Sequence, residues 1–225
     1  MSACNPGSSK RNNPCDNTPT NEISVSLADL QLNRLLQPMQ SHSENLGFKL
    51  LPASYELIET ADLVVLITSM VMELISVNDK IPILPNQLTR FHSRSSPQIT
   101  VHDYLRRLTA HAHLSPPILL SMVFYIDLLC AAYPAFIISS LTIHRFLIVS
   151  ATVASKGISD SFWTNKTYAR IGGISSAELA VLELEFLFRV KWRIIPKPEV
   201  LGDYYRFLVE RCDGFGVEIP CCDSG

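Results

Sequence analysis

The stretch from Ser140 to Lys156, SLTIHRFLIVSATVASK, is apolar on nearly every side when wound as a helix. A surface helix carries one apolar stripe, whereas a helix apolar all round must be enclosed by others. At 100° per residue the long polar side chains Arg145, Thr152 and Lys156 fall on one narrow line. The two cations stand ~16 Å apart along the axis. Any fold for this chain therefore places 140–156 at its centre and gives Arg145 and Lys156 partners, because lone buried charges are expensive.

The flanking sequence supplies the enclosure. Thr60-Ala61-Asp62 opens an amphipathic run to Val77, which Asn78-Asp79-Lys80 ends. After a loop between Pro82 and Pro97, a helix is expected over 99–112, with Val101, Leu105 and Leu108 on one side and Arg106 and Arg107 away from it. Pro116-Pro117 opens another over 118–132, broken by Tyr133-Pro134. Ser139 or Ser140 caps the central helix and Gly157 stops it. Residues 164–171 read as a short turn leading to Gly172-Gly173. Ser175-Ser176-Ala177-Glu178 is a capping box that starts a helix to about Val190. A last helix is expected over 199–211, and 213–225 reads as loop. No run alternates as a strand does, so the expected fold class is all-α.

The first 57 residues are rich in Ser, Asn, Pro and Gln, with small apolar clusters such as Leu30–Leu36. Such a segment buries too little surface to offset its ordering entropy, so 1–57 is expected to be disordered apart from one short helix over 23–36. The domain is expected over 58–211, with 212–225 a tail. The first 22 residues hold no apolar core for a signal peptide. The runs 61–77 and 135–154 approach membrane-span length, but Asp62, Glu73 and the pair His144-Arg145 argue for core helices instead.

Composition narrows the function classes. The net charge is −2, which disfavours a chain-wide affinity for nucleic acid. The six cysteines, at 4, 15, 130, 212, 221 and 222, form no Cys-x-x-Cys, and His111 and His113 diverge on a helix, so no metal site is expected. No phosphate-cradling glycine loop and no Gly-x-Ser-x-Gly occurs, and no cofactor is expected. His144-Arg145-Phe146 puts Phe where a kinase catalytic loop needs its Asp. The residues themselves indicate a helical binding module, not an enzyme.

One residue is out of place. On the helix from Ser175, the apolar face is Leu179, Leu182, Phe186, Leu187 and Val190, while Glu178, Glu185 and Arg189 lie off it. Glu183 projects into the apolar sector between Leu179 and Leu187. Either it forms an intramolecular ion pair at the edge of the core, or Glu183 and Lys156 serve a surface that another protein covers.

Several strings resemble the cyclin box. Phe124-Tyr125-Ile126-Asp127-Leu128 is similar to its second helix, Thr152-Val153-Ala154-Ser155-Lys156 to the end of its third, and Leu182-Glu183 with Phe186-Leu187 to its fifth. Further strings resemble the fungal phosphate-pathway (Pho-type) cyclins: Thr89-Arg90-Phe91-His92-Ser93, Tyr104-Leu105-Arg106-Arg107-Leu108-Thr109, Ser140-Leu141-Thr142-Ile143-His144-Arg145-Phe146-Leu147, Asp160-Ser161-Phe162 and Tyr168-Ala169-Arg170-Ile171-Gly172-Gly173-Ile174. The likeness runs from about Ala61 to Tyr205.

The resemblance implies a five-helix cyclin box around a buried third helix, with flanking N- and C-terminal helices. It implies a regulatory subunit, without catalysis of its own, that binds the small lobe of a cyclin-dependent Ser/Thr kinase and holds its regulatory helix inward, completing the Lys–Glu pair that aligns ATP. Lys156 and Glu183 match the family's kinase-contacting lysine and glutamate. Asp160 matches an acidic position that engages an arginine near the kinase activation segment; alternatively it caps the turn at 159–162. Arg145 and Glu178 match polar positions expected to pair inside the box.

Phosphate signalling, glycogen control and morphogenesis all use relatives, with a kinase inhibitor and phosphorylation substrates as further partners, in the nucleus, the cytoplasm or both. Pro97-Gln98-Ile99-Thr100-Val101 stands where cell-cycle cyclins carry a hydrophobic docking patch, so recruitment by that route is not expected. Neither nucleic acid nor membrane is expected as a partner. The other readings are a cyclin-box scaffold that binds no kinase and a transcription-associated module that holds promoter DNA.

Overall fold

A computed structural model describes residues 48–82 and 87–218. Among them are seven helices: α1 (Thr60–Asn78), α2 (Val101–Ala112), α3 (Pro116–Ala132), α4 (Ile143–Ile158), α5 (Asn165–Gly172), α6 (Ser176–Arg189) and α7 (Pro198–Arg211). Two three-residue strands, β1 (Lys49–Leu51) and β2 (Phe215–Val217), pair in parallel.

The central helix is α4. From Ile143 to Ser155 every residue but Arg145 is buried, and α2, α3, α5 and α6 all pack against it. Its internal hydroxyls are satisfied along the helix, with Thr152 Oγ1 donating to the Ile148 carbonyl at 2.8 Å and Ser150 Oγ to Leu147 at 3.1 Å. It starts at Ile143, later than expected, with Thr142 and not Ser139 or Ser140 at the cap position, and the Thr142 hydroxyl accepts from the Ser139 amide at 2.9 Å. Rings thread the core in the order Phe91, Phe136, Phe146, Phe186 and Tyr125, with successive centroids 5.0, 5.7, 6.4 and 5.3 Å apart. Removing one such ring typically costs about 3–5 kcal/mol, because packed neighbours relax only partly.

α1 has a mean hydropathy of 1.8, long and apolar enough by composition to cross a membrane. In this fold nine of its residues, Leu63 to Asn78, are buried against the other helices. Asn78 ties its end down by donating to the Ile138 carbonyl at 2.9 Å.

Besides the start of α4, the structure corrects four local expectations. Residues 164–171 are not a turn: Asn165 to Gly172 form α5, capped by the Thr164 side chain and closed by Gly173 at φ 72°. Only Tyr168, Ala169 and Ile171 are buried in it, too short a pattern to reveal a period. Gly172 is needed for close approach, since a Cβ there would stand 2.5 Å from Ile148 Cγ1. Gly157 does not stop α4, which runs to Ile158. α2 begins at Val101 rather than Ile99, because the Thr100 side chain caps it by accepting from the Asp103 amide.

The fourth correction concerns the ends. Residues 48–57, expected outside the domain, fold onto it, and 215–217 is a strand instead of loop. Leu51 is buried, Lys49 pairs with Asp62 at 2.6 Å, and Tyr205 donates to the Pro52 carbonyl at 2.7 Å. A three-residue strand cannot show alternation, and its partner lies at the other end of the domain. The rest of the expected disorder, the short helix over 23–36 and residues 219–225 lie outside the described residues.

Candidate functional site

The last turn of α4 and the middle of α6 bring Lys156 and Glu183 together, with Nζ donating to Oε1 at 2.5 Å. Asn165, first residue of α5, donates its amide to Glu183 Oε2 at 2.8 Å. A cation in the last turn of α4 also faces the negative end of that helix dipole. Lys156 uses one of its three N–H groups in this pairing, leaving donors for another acceptor. The sequence put Lys156 and Glu183 in view but missed Asn165, which nothing in its local pattern singles out.

Beside this cluster α6 shows a second apolar face. Leu179, Leu182 and Phe186 enter the core, whereas Val181, Leu184 and Phe188 point to solvent. Past the helix end, Lys191 and Trp192 both adopt left-handed backbone, at φ 53° and 61°. Each such non-glycine residue costs of order 1–2 kcal/mol. The turn holds Trp192 outward, 58% exposed, with its ring 6.2 Å from that of Phe188. Next to it a groove of about 470 Å³ runs between Phe124, Leu128, Trp192, Ile194 and Val200. The four-residue spacing of Leu184, Phe188 and Trp192 is visible in the sequence, but a surface helix is expected to bury one apolar face, which Leu179, Leu182 and Phe186 supply.

Asp160 lies in the loop between α4 and α5, exposed, and its carboxylate makes no hydrogen bond or ion pair among the described residues. It therefore caps no turn there. At the other end of α4 Arg145 pairs with Glu178. The same guanidinium donates to the backbone carbonyls of Arg90 at 2.7 Å and His92 at 3.1 Å, and burial holds it below the ordinary arginine pKa. This arrangement ties the 89–93 loop to α4 and α6.

Three hydrogen-bonding side chains thus meet at the junction of α4, α5 and α6, and α6 also carries exposed apolar ones. The Cyclin family model matches residues 59–194. The Nuc-1 negative regulatory protein preg of Neurospora crassa is 56% identical over 186 residues, which cover 81% of this chain and 38% of that protein. The PHO85 cyclin PHO80 of Saccharomyces cerevisiae is 44% identical over 152 residues, 66% of this chain and 52% of the relative. Cyclin-U4-1 of Arabidopsis thaliana is 36% identical over 118 residues, 52% of this chain and 58% of the relative. The chain thus spans between about two fifths and three fifths of the length of these relatives. With the family match covering more than half of the chain and a buried central helix at its core, this chain belongs to the cyclin family.

Proposed function

We propose that this chain is the regulatory subunit of a cyclin-dependent Ser/Thr protein kinase of the kind served by the PHO85 cyclins, acting in nutrient or phosphate signalling. The observation that carries the reading is the Lys156–Glu183–Asn165 cluster set against exposed Leu184, Phe188 and Trp192. A kinase regulatory helix laid on this surface covers the apolar side chains, and Lys156 and Glu183 hydrogen-bond its backbone. Burying them removes apolar area from water at ~25 cal/mol per Å². Held inward, that helix completes the kinase's own Lys–Glu pair. Asp160, exposed and unengaged in the free chain, meets an arginine of the activation segment. The chain supplies position and contributes no reacting group. Its place in the cell, nucleus or cytoplasm, follows that of the kinase, and the complex is the target of a kinase inhibitor and the recruiter of substrates.

Reconstitution with a Pho85-type kinase tests this. The chain alone should transfer no phosphate from ATP, and adding it should raise the kinase's activity. Kinase binding without activation would reduce the chain to a scaffold, and absence of binding would end the proposal.

A further inference from the structure

A hydroxyl residue precedes proline three times in the chain, at Thr18-Pro19, Ser96-Pro97 and Ser115-Pro116. The first lies outside the described residues. The other two share a local sequence but not a setting. Ser115 is the N-cap of α3, and Pro116 and Pro117 already belong to its first turn. Drawing Ser115 into an extended segment would unwind that turn. Ser96 lies in the irregular stretch before α2, where Arg94, Ser95 and Ser96 are all exposed. From Arg94 to Gln98 no backbone N–H is bonded among the described residues, and the Ser95 carbonyl accepts only from the Ser93 hydroxyl. An enzyme that modifies a folded chain needs a segment that opens at little cost, and this one has almost nothing to break. Pro97 also biases Ser96 toward extended backbone.

Ser96 Oγ is within reach of one acceptor, the Ser140 carbonyl at 3.5 Å, which is the long limit of a hydrogen bond. Ser140 precedes α4, and Lys156 stands ~20 Å further along that helix, so the hydroxyl is outside the proposed docking face. Pro97 has no amide N–H. A cleft without an acceptor after the modified residue loses nothing to proline, whereas any other residue there leaves its N–H unpaired. That is the selectivity of a proline-directed enzyme. We propose that Ser96 is a phosphorylation site for a proline-directed Ser/Thr kinase. Ser96 Oγ attacks the γ-phosphorus of kinase-bound ATP and forms the Oγ–P bond. The bond from that phosphorus to the β-phosphate oxygen breaks, ADP leaves with the electron pair, and the hydroxyl proton passes to the kinase's catalytic Asp. The phosphate cannot keep the contact with the Ser140 carbonyl, because both are acceptors. Asp79, which accepts from the Ser140 amide at 2.9 Å, adds a like charge on that side. The dianion therefore turns outward, where Arg94 makes no hydrogen bond or ion pair among the described residues. Ser93, bonded through its amide and its hydroxyl to the Leu141 carbonyl at 2.9 Å, keeps the preceding loop in place.

The site goes beyond the kinase-regulator reading and does not rest on it. The full chain is offered as a substrate to a proline-directed kinase already active with a different cyclin, so no activation by this chain is needed. Incubation with ATP followed by peptide mass spectrometry should place phosphate on Ser96 at least ~10-fold faster than on Ser115, which needs local opening of α3. Pro97→Ala should slow the modification of Ser96 by ~10-fold or more. In Ser96→Ala the phosphate should disappear and not move to Ser95, which no proline follows. The modified chain should melt within ~2 °C of the unmodified one, since only the 94–98 stretch lifts. No phosphate on Ser96, equal rates at Ser96 and Ser115, or a rate indifferent to Pro97→Ala would overturn the proposal. A much larger fall in melting temperature would overturn the outward turn of the phosphate.

Discussion

Two ion pairs join α4 to α6, and their surroundings differ more than their exposure. Arg145 and Lys156 have side chains 26% and 29% exposed, nearly the same. Around Arg145 the protein itself supplies further acceptors, because the carbonyls of Arg90 and His92 accept from it while Glu178 balances its charge. Around Lys156 no backbone carbonyl takes up the remaining N–H groups among the described residues, and α6 carries exposed apolar side chains. The two pairs therefore differ in where their spare hydrogen-bonding capacity points, and the proposed function makes the first an internal tie and the second an interface pair.

The largest effect should come from breaking the second pair. Glu183→Ala is expected to weaken kinase binding by about 2–5 kcal/mol, roughly 30- to several-thousand-fold in Kd. The free chain's melting temperature should fall by only a few degrees, since Lys156 can hydrate once its partner is gone. Lys156→Ala should behave alike. Calorimetric titration against the kinase together with a thermal melt reads both quantities. Wild-type affinity in both variants would erase the distinction between the two ion pairs. Asp160→Ala should lower turnover more than affinity, because the contacts of Lys156 and Glu183 survive it.

Trp192→Gly sharpens the same contrast from the apolar side. It removes an exposed aromatic anchor, and such anchors typically account for about 2 kcal/mol or more of binding. It also relieves a left-handed backbone position that glycine adopts freely. Affinity should drop while the melting temperature holds or rises. A loss of both would place Trp192 in the fold's own packing.

These contrasts show where sequence reasoning reached and where it stopped. The central helix was legible because being apolar on nearly all sides is a property of one contiguous stretch, and the buried run Ile143–Ser155 matches it. Lys156 and Glu183 were legible for the opposite reason, as polar residues on otherwise apolar faces. Asn165 was not, because its role depends on how α5 is carried back to α6, a tertiary fact. β1 and β2 were invisible for the same cause: three residues each, paired across the whole domain.

Arg145→Ala should give the next smaller effect, on stability and not on kinase contact. It strands the Arg90 and His92 carbonyls and leaves Glu178 without its partner. Unpaired acceptors cost about 1–3 kcal/mol each when fully buried. These are partly open to water, so a total of about 1–2 kcal/mol is expected, or a melting temperature lower by ~2–8 °C. Binding should then fall only in proportion to the unfolded fraction. A large loss of kinase affinity at unchanged stability would make Arg145 an interface residue and merge the two ends of α4 into one surface.

The smallest effect is a pH dependence confined to the Arg145 end. His144 neighbours Arg145 on α4 and is buried, with Nε2–H donating to the Ile99 carbonyl at 3.0 Å and its ring edge-on to Tyr104. Its Nδ1 is buried without a partner, so a second proton would have no acceptor. His92, whose Nδ1 accepts from the Thr89 amide at 3.0 Å, would lose that bond on protonation. Burial lowers the pKa of both, outweighing the single backbone hydrogen bond that raises each. The unfolded chain, with histidines near 6.5, therefore binds more protons than the folded one as the medium acidifies. This contribution to stability is complete above about pH 6.5 and is lost as pH falls through that value toward the lowered folded pKa. Melting temperatures measured from pH 7.5 to 5 should be level and then decline, and His144→Gln should flatten part of the decline. The substitution keeps a donor for the Ile99 carbonyl while removing the titration. An unchanged slope in His144→Gln and in His92→Gln would show that neither histidine carries the dependence. In that case the acid sensitivity would not belong to the Arg145 end of α4, and the contrast in pH response between its two ends would be lost.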